Sequence, residues 1–268
     1  MSVSGDFYQF KSGELVPVDV ALADNLTVAD SFLVVDGTVR ALDRHLDRFS
    51  GSITSEFSLS QMPGFFAQFI DLIPREGEWF PRLEYREAQP EGERLFARVR
   101  PAPERSEAVA LWTLDEDDPR EAPATKGPDL SVCQRLRRKA NLNGADEAVI
   151  LSSEGYIADG ALSSIMWWRD DALMAPDHTT DWLPSVTRNL LFEIASQAGY
   201  ETAVERAMPD DLAGCEVWSV SALQGIRAVT SWAEIPVAPA RHRSSFMKRL
   251  ALLAEPLPKN DGLIAKLS

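Results

Sequence analysis

The chain has 268 residues and a mass of 29.7 kDa, with 27 Lys and Arg against 41 Asp and Glu, a formal net charge of −14. That length buries a large core and suits one big domain or two modest ones. A chain this acidic repels phosphodiester backbones and anionic lipid surfaces, so neither a nucleic-acid nor a membrane partner is expected. Its two cysteines, Cys133 and Cys215, lie far apart without metal-ligand spacing, which argues against a disulfide scaffold or a metal site. Met1 to Val18 lacks a basic stretch followed by an apolar core, and no window approaches a membrane-spanning apolar run, so a soluble cytoplasmic protein is expected.

In chain order, Phe32-Leu33-Val34-Val35 reads as a strand, Asp36-Gly37 as a tight hairpin turn, and Thr38 to Leu42 as the returning strand. A helix follows from about Asp43. Ser60 to Ile73 places Met62, Phe65, Phe66, Phe69, Leu72 and Ile73 at helical period. Arg94 to Arg100 alternates as a strand does. Two stretches rich in proline and charge, Arg86 to Glu93 and Asp115 to Thr125, interrupt this patterning. The second has the composition of an exposed connector. It sets the expected boundary between a small N-terminal α/β lobe, residues 1–118, and a larger second lobe, residues 119–268.

Past the connector, the Asp129 carboxylate is placed to cap a helix running to about Asn141, with Lys126 in the loop just before it. Along that helix, Arg135, Arg137, Arg138 and Lys139 splay around more than one face, the pattern of a solvated surface. Ala148 to Leu151, Tyr156 to Ala158 and Ile165 to Trp168 read as an antiparallel meander with Glu154-Gly155 as its first turn. Pro184-Ser185-Val186-Thr187-Arg188 then opens an amphipathic helix with Leu190, Leu191, Ile194 and Ala195 as its buried stripe and Gly199 at its stop. Val217 to Ser221 is a further strand, and Arg243 to Ala254 a last helix.

Taken singly, the residues that could carry chemistry are weak signals. Lys126 is one of six lysines, and a nucleophilic lysine needs a desolvated pocket that lowers its amine pKa, which a loop packed under a helix can supply. The order of the motifs is more informative. Gly144-Ala145-Asp146-Glu147-Ala148-Val149-Ile150-Leu151, then Glu154-Gly155-Tyr156-Ile157-Ala158-Asp159-Gly160 and Ser163-Ser164-Ile165, resembles the class IV aminotransferases with their "GADEAL" strand and "DxxGxxxEGxxSNIF" run. That family includes branched-chain and D-amino-acid aminotransferases and aminodeoxychorismate lyase. Lys126 lies 18 positions before Gly144, where the family's Schiff-base lysine is expected.

The resemblance implies a two-lobed fold type IV enzyme of the α/β (α+β) class, with a mostly antiparallel or mixed sheet in the larger lobe and pyridoxal 5′-phosphate (PLP) as cofactor. Asp159 stands where the family usually has a glutamate that hydrogen-bonds the cofactor's pyridine nitrogen. A carboxylate there keeps the ring able to accept electrons. Leu183-Pro184-Ser185-Val186-Thr187-Arg188 resembles "LPGITR", whose helix N-terminus faces the cofactor phosphate, giving Val186 and Thr187 that role. His45-Leu46-Asp47-Arg48-Phe49 resembles "HxxRL", whose arginine clamps the same phosphate; Arg48 is therefore a phosphate ligand and His45 a structural histidine. Trp218 to Val229 resembles the loop that meets phosphate and substrate carboxylate, with Ser221, Ala222 and Leu223 in its turn. Ala222, Leu223, Arg98 and Arg227 are candidates for substrate binding, as are Tyr85 and Arg86. No metal site is implied.

Two departures bear on specificity. The lysine loop reads Lys126-Gly127-Pro128-Asp129-Leu130-Ser131, whereas branched-chain aminotransferases carry an Asn-Tyr pair shortly after the lysine. The threonine of the "GTAAEITPV" form is also missing. The resemblance implies an aminotransferase acting on an amino acid and a keto acid through a Lys126 Schiff base and a quinonoid intermediate, in a homodimer. Two alternatives stay open: an aminodeoxychorismate lyase releasing pyruvate and 4-aminobenzoate, and a non-catalytic PLP-fold binding protein.

Overall fold

The computed structural model describes residues 5–19, 26–233 and 235–259. The described residues divide into two compact units: those within Met1–Glu104, Lys126–Pro128 and Leu253–Ser268, and those within Arg105–Thr125 and Asp129–Leu252. The boundary expected at 118/119 thus falls inside the first segment of the second unit.

The first unit carries strands β1 (Asp6–Lys11), β2 (Glu14–Pro17), β3 (Val28–Ser31), β4 (Val34–Val35) and β5 (Thr38–Arg40), helices α1 (Leu42–Gly51) and α2 (Glu56–Leu72), and strands β6 (Glu78–Trp79), β7 (Arg82–Tyr85) and β8 (Leu95–Val99). One sheet has the order β2-β1-β8-β7-β3 and is antiparallel throughout. The β4–β5 hairpin turns at Asp36 and Gly37, which both take positive φ (45° and 70°), as a two-residue turn matched to strand twist requires. Helix α2 begins four residues before the hydrophobic period does, because the Ser55 hydroxyl accepts the Ser58 amide and caps it. Its Phe65, Phe66, Phe69 and Ile70 are buried with Phe10, Phe32, Phe49 and Leu83. Each such side chain contributes roughly 1.5–3 kcal/mol of burial.

The second unit is built on one mixed sheet of eight strands. In chain order its elements are β9 (Ala108–Thr113), α3 (Leu130–Leu142), β10 (Glu147–Leu151), β11 (Ile157–Gly160), β12 (Ser164–Arg169), β13 (Ala172–Pro176), α4 (Val186–Gln197), β14 (Glu201–Glu205), β15 (Glu216–Ser221), β16 (Gly225–Trp232) and α5 (Arg243–Ala251). The strand order is β11-β10-β9-β16-β15-β12-β13-β14, with parallel pairing of β9 to β10 and β16 and of β13 to β14. The mixed α/β class expected from the sequence is what the chain adopts. The meander is not: β10 and β11 form a hairpin, but β12 pairs with β13 and β15 instead of β11. The tight turn at Gly160 to Ser163, where the Gly160 amide donates to the Ser163 carbonyl at 2.8 Å, sends the chain away from β11.

Helix α3 starts as expected, but Asp129 does not cap it through its side chain. Its buried carboxylate instead accepts the amides of Glu121 (3.1 Å) and Ala122 (2.8 Å), tying the connector to the helix start. Arg135, Arg137 and Arg138 are exposed, and Lys139 pairs with Asp115 and Glu116. Helix α4 keeps its predicted stripe, and Gly199 ends it at φ 84°. Helix α5 stops at Ala251, because the chain returns as β17 (Ala254–Pro256) against β5 in the first unit.

Candidate functional site

In the first unit, Lys126 is half-buried, and its carbonyl accepts the Ala29 amide of β3 at 2.7 Å. The next residue makes that approach possible. Gly127 has φ +143°, and a Cβ there would lie 2.8 Å from the Val28 Cα and 2.9 Å from the Ala29 nitrogen. Backbone atoms cannot yield as a side chain can, so Gly127→Ala is expected to cost about 2–4 kcal/mol and to break the Lys126–Ala29 contact. A chemical-denaturation midpoint unchanged from the native protein would refute this reading of the loop.

Beside Lys126 lies a buried charge cluster. Asp30, fully buried, accepts the Arg48 Nε at 2.7 Å and Nη2 at 2.9 Å, and its Oδ1 lies 2.8 Å from the His45 Nδ1. Burial alone raises the Asp30 carboxyl, but the charges and hydrogen bonds of His45 and Arg48 outweigh it and hold the group at about 2. The stability that Asp30 contributes is therefore present above its ordinary 3.8 and lost as pH falls through about 2. Burial pushes the His45 imidazole down, against Asp30, and the Arg48 and Lys126 charges push the same way. His45 is thus buried and hydrogen-bonded to Asp30, and Arg48 is held by a two-point pair to the same carboxylate.

Elsewhere in this unit the wholly buried Glu84 is shared by Arg82, through Nε at 2.7 Å, and by Arg86, through Nε at 3.0 Å and Nη2 at 2.6 Å. Arg98 is buried with its guanidinium 4.8 Å from the centre of the Phe7 ring, and desolvation together with the Arg82 charge pushes its pKa down. Arg100 is lowered to about 10, by burial first and then by Arg82 and Arg98. Guanidiniums outnumber carboxylates here. Tyr85 is buried, its hydroxyl 3.4 Å from Arg94.

In the second unit, Asp159 ends β11 with its side chain fully buried among fixed donors. Its Oδ1 accepts the Gly160 amide and its Oδ2 the Leu183 amide, each at 3.1 Å. The Arg120 Nη1 stands 3.8 Å from Oδ2. Burial pushes the carboxyl up to about 6, opposed by Arg120, the two amides and Arg188. Arg120 comes from the stretch whose composition suggested an exposed connector, yet its side chain is 4% exposed. It grips Asp118 through Nε at 3.0 Å and Nη2 at 2.8 Å and donates to the Asp181 carbonyl at 2.7 Å. Arg188, also buried, sits 3.6 Å above the Trp182 ring with its Nε unpartnered among the described residues. Arg188 entered the sequence reading only as the last position of the helix-start motif, and Arg120 not at all. The Pro119-Arg120 pair amid five acids was the available signal.

Helix α4 starts as the motif suggested. The Ser185 hydroxyl accepts the Arg188 amide at 3.2 Å, and helix geometry leaves the amides of the buried Val186 and Thr187 without intrahelical acceptors. Ser221, Ala222 and Leu223 form the half-buried turn from β15 to β16, where the Ser221 hydroxyl accepts the Gln224 amide at 3.2 Å. Arg227 is buried in a separate network, its Nη2 3.0 Å from Ser219 Oγ and 3.3 Å from Glu147 Oε2. So the second unit brings Asp159 together with the segment leading into α4, and the first unit brings Lys126 together with His45 and Arg48. Cys133 and Cys215 are free, and no group of three or more His, Cys, Asp or Glu suited to a metal ion occurs among the described residues. None of the described helices is long and apolar enough to cross a membrane.

The family model for amino-transferase class IV matches residues 27–232. The branched-chain-amino-acid aminotransferase of Escherichia coli K12 is 32% identical over 93 residues, 35% of this chain and 30% of that protein. The Pseudomonas aeruginosa enzyme of the same name is 32% identical over 75 residues, 28% of this chain and 24% of that protein. The aligned stretches thus span about a quarter to two fifths of the curated relatives. Among solved structures, a hypothetical aminotransferase from Mycobacterium tuberculosis, in an α-ketoglutarate- and PMP-bound form, superposes with a TM-score of 0.77 at 21% identity, covering 92% of this chain and 98% of that one. The PLP-bound form of that protein gives 0.75 at the same identity and coverage. The branched-chain amino acid aminotransferase from Escherichia coli gives 0.73 at 19% identity, covering 91% of this chain and 92% of that one. The chain belongs to the class IV aminotransferase family.

Proposed function

We propose that this protein is a PLP-dependent aminotransferase that moves an amino group between an amino acid and a keto acid. The observation that carries the reading is Asp159: a buried carboxylate at a strand end, fixed by two backbone amides and balanced near pH 6, is suited to face a protonated ring nitrogen. When bound, PLP supplies a ring that takes up the negative charge left as the α-hydrogen bond breaks. Lys126 Nζ would hold the cofactor covalently and, once the substrate amine has displaced it, would as a free amine take the proton from the substrate α-carbon.

Arg48 and the Val186 and Thr187 amides are assigned to the phosphate, with Ser221 and Ala222 beside it. Arg48 suits that duty because Asp30 has already fixed its orientation. For the substrate carboxylate we assign Arg98, which shares a buried region with Arg82 and Arg86 around one acid, Glu84, together with Ala222 and Leu223. Arg227, already paired with Glu147, contributes to this role by holding the strand that follows the Ser221 turn. The family resemblance further implies a homodimer.

Borohydride treatment of the purified, PLP-loaded protein followed by peptide mass spectrometry tests this reading. A phosphopyridoxyl group fixed on the peptide containing Lys126 is expected. Fixation on another lysine, or on none, would overturn it. Incubating the loaded protein with aminodeoxychorismate and no keto acid separates transfer from the lyase outcome, for which stoichiometric pyruvate and 4-aminobenzoate are the signature.

A further inference from the structure

Arg120 lies in a segment with no regular secondary structure, but its guanidinium is spent on three groups at once. Two nitrogens grip Asp118, one donates to the Asp181 carbonyl, and the third nitrogen faces Asp159 at 3.8 Å. Asp181 is two residues before Leu183, whose amide is bonded to the same Asp159 oxygen. The segment from Asp177 to Leu183 is further fixed by the Trp182 indole, which donates to the Asp177 carbonyl at 2.7 Å. One side chain therefore links the acid, the donor that orients it and the approach to α4.

We propose that Arg120 is the positioning residue for Asp159: its charge keeps the buried carboxylate ionised, and its bond to Asp181 keeps the Leu183 amide aimed at it. The inference rests on the assignment of Asp159 to the cofactor ring nitrogen. The charged and titratable groups that face Asp159 are Arg120 from the connector, Arg188 from α4 and Cys133 from α3. Arg188 makes no hydrogen bond to Asp159 and stacks on Trp182, and the Cys133 thiol, pushed up to about 12 mainly by burial, stays neutral across the working range. Arg120 is the cation nearest the acid.

Planar geometry decides which replacements succeed. A glutamine keeps a donor but loses the charge, while a lysine keeps the charge and loses the fork that holds Asp118 and Asp181 together. Removing an opposite charge at this range raises a carboxyl pKa by about 1–2 units. The ionisation of Asp159 can be read without cofactor, from its carboxyl carbon resonance in protein labelled at aspartate, assigned by its loss in Asp159→Asn.

The test titrates that resonance in the native apo-protein, Arg120→Gln and Arg120→Lys, and measures PLP dissociation constants for the same proteins from pH 5.5 to 8.5. Arg120→Gln is expected to raise the Asp159 midpoint by about 1–2 pH units and to weaken PLP binding about 3- to 10-fold at pH 7, with the gap closing as pH rises. Arg120→Lys is expected to hold the midpoint within about half a unit while still weakening PLP. A midpoint that Arg120→Gln does not move would overturn the proposal, as would a loss of PLP affinity that is the same at every pH. If Arg120→Gln does not fold, Arg120→Lys decides, since a raised midpoint with charge retained sinks the electrostatic role. If Asp159→Asn binds PLP as the native protein does, the ring-nitrogen assignment fails, whatever Arg120 does to the midpoint.

Discussion

Lys126→Ala is expected to lower the rate of amino-group transfer by at least about 10³-fold. A positioned proton-transfer group contributes about 10²- to 10⁴-fold, and the covalent hold on the cofactor is lost with it. Stability should barely move. Lys126 is half-buried, and the bond it makes through its backbone, from the Ala29 amide to its carbonyl, survives in alanine. The melting temperature should therefore stay close to the native value, within the roughly 0.5 kcal/mol typical of substitutions outside a core. Stopped-flow measurement of the half-reaction gives the rate, and added small amines should restore part of it by standing in for the missing Nζ. A variant that transfers amino groups within tenfold of the native rate removes Lys126 from the chemistry.

Asp159→Asn should move stability and activity in opposite directions. The folded carboxyl is pushed up to about 6 from an ordinary 3.8, chiefly by burial. Below pH 3.8 folded and unfolded chains both hold the proton, so the group is neutral in its effect. Between 3.8 and about 6 the unfolded chain releases the proton while the folded chain retains it, and stability falls. Above that the penalty is constant, of order 2–3 kcal/mol. Asparagine removes it but leaves one of the two amides, Gly160 or Leu183, facing an NH₂ group, a loss of about 1 kcal/mol. The cofactor-free variant should therefore be about 1–2 kcal/mol more stable than the native protein at pH 7.5, with the advantage gone near pH 4. Activity should fall by about 10²-fold or more, since a fixed charge aimed at the reacting system is lost. Denaturant titrations at the two pH values check the first claim; equal stability at pH 7.5 contradicts it.

This opposition bears on what could be read from residues alone. Asp159, Lys126 and Val186-Thr187 were singled out because each occupies a motif position of fixed spacing, and the α4 start and the β4–β5 turn were legible because Ser185 and Asp36-Gly37 act within a few residues. Arg120 was not, because its partners are distant in sequence: it meets Asp159 across 39 positions and Asp181 across 61. Arg188 was read only as the last position of the helix-start motif, since its stacking on Trp182 leaves no periodic signal. Composition marked 115–125 as solvated, and tertiary contacts buried one arginine of it. Asp129 failed as a cap for the same reason, since two connector amides compete for its carboxylate. The β10–β12 meander failed because strand order depends on the turn at Gly160 and on β15, neither of which has a periodic signature.

The first unit takes in just three residues of the chain between Thr125 and Asp129, and those three include Lys126. Modular exchange is thereby constrained. A recombinant chain that joined this protein's residues up to 104 to a relative's remainder would bring in a foreign lysine loop, to be seated against a β3 it had not coevolved with. A Cβ on Gly127 would lie 2.8 Å from the Val28 Cα, so this loop tolerates little mismatch. Chimaeras that swap residues 5–104 together with 126–128 and the 253–259 return strand should fold where simple two-piece crossovers do not, so that the heritable unit of this scaffold is discontinuous in the gene.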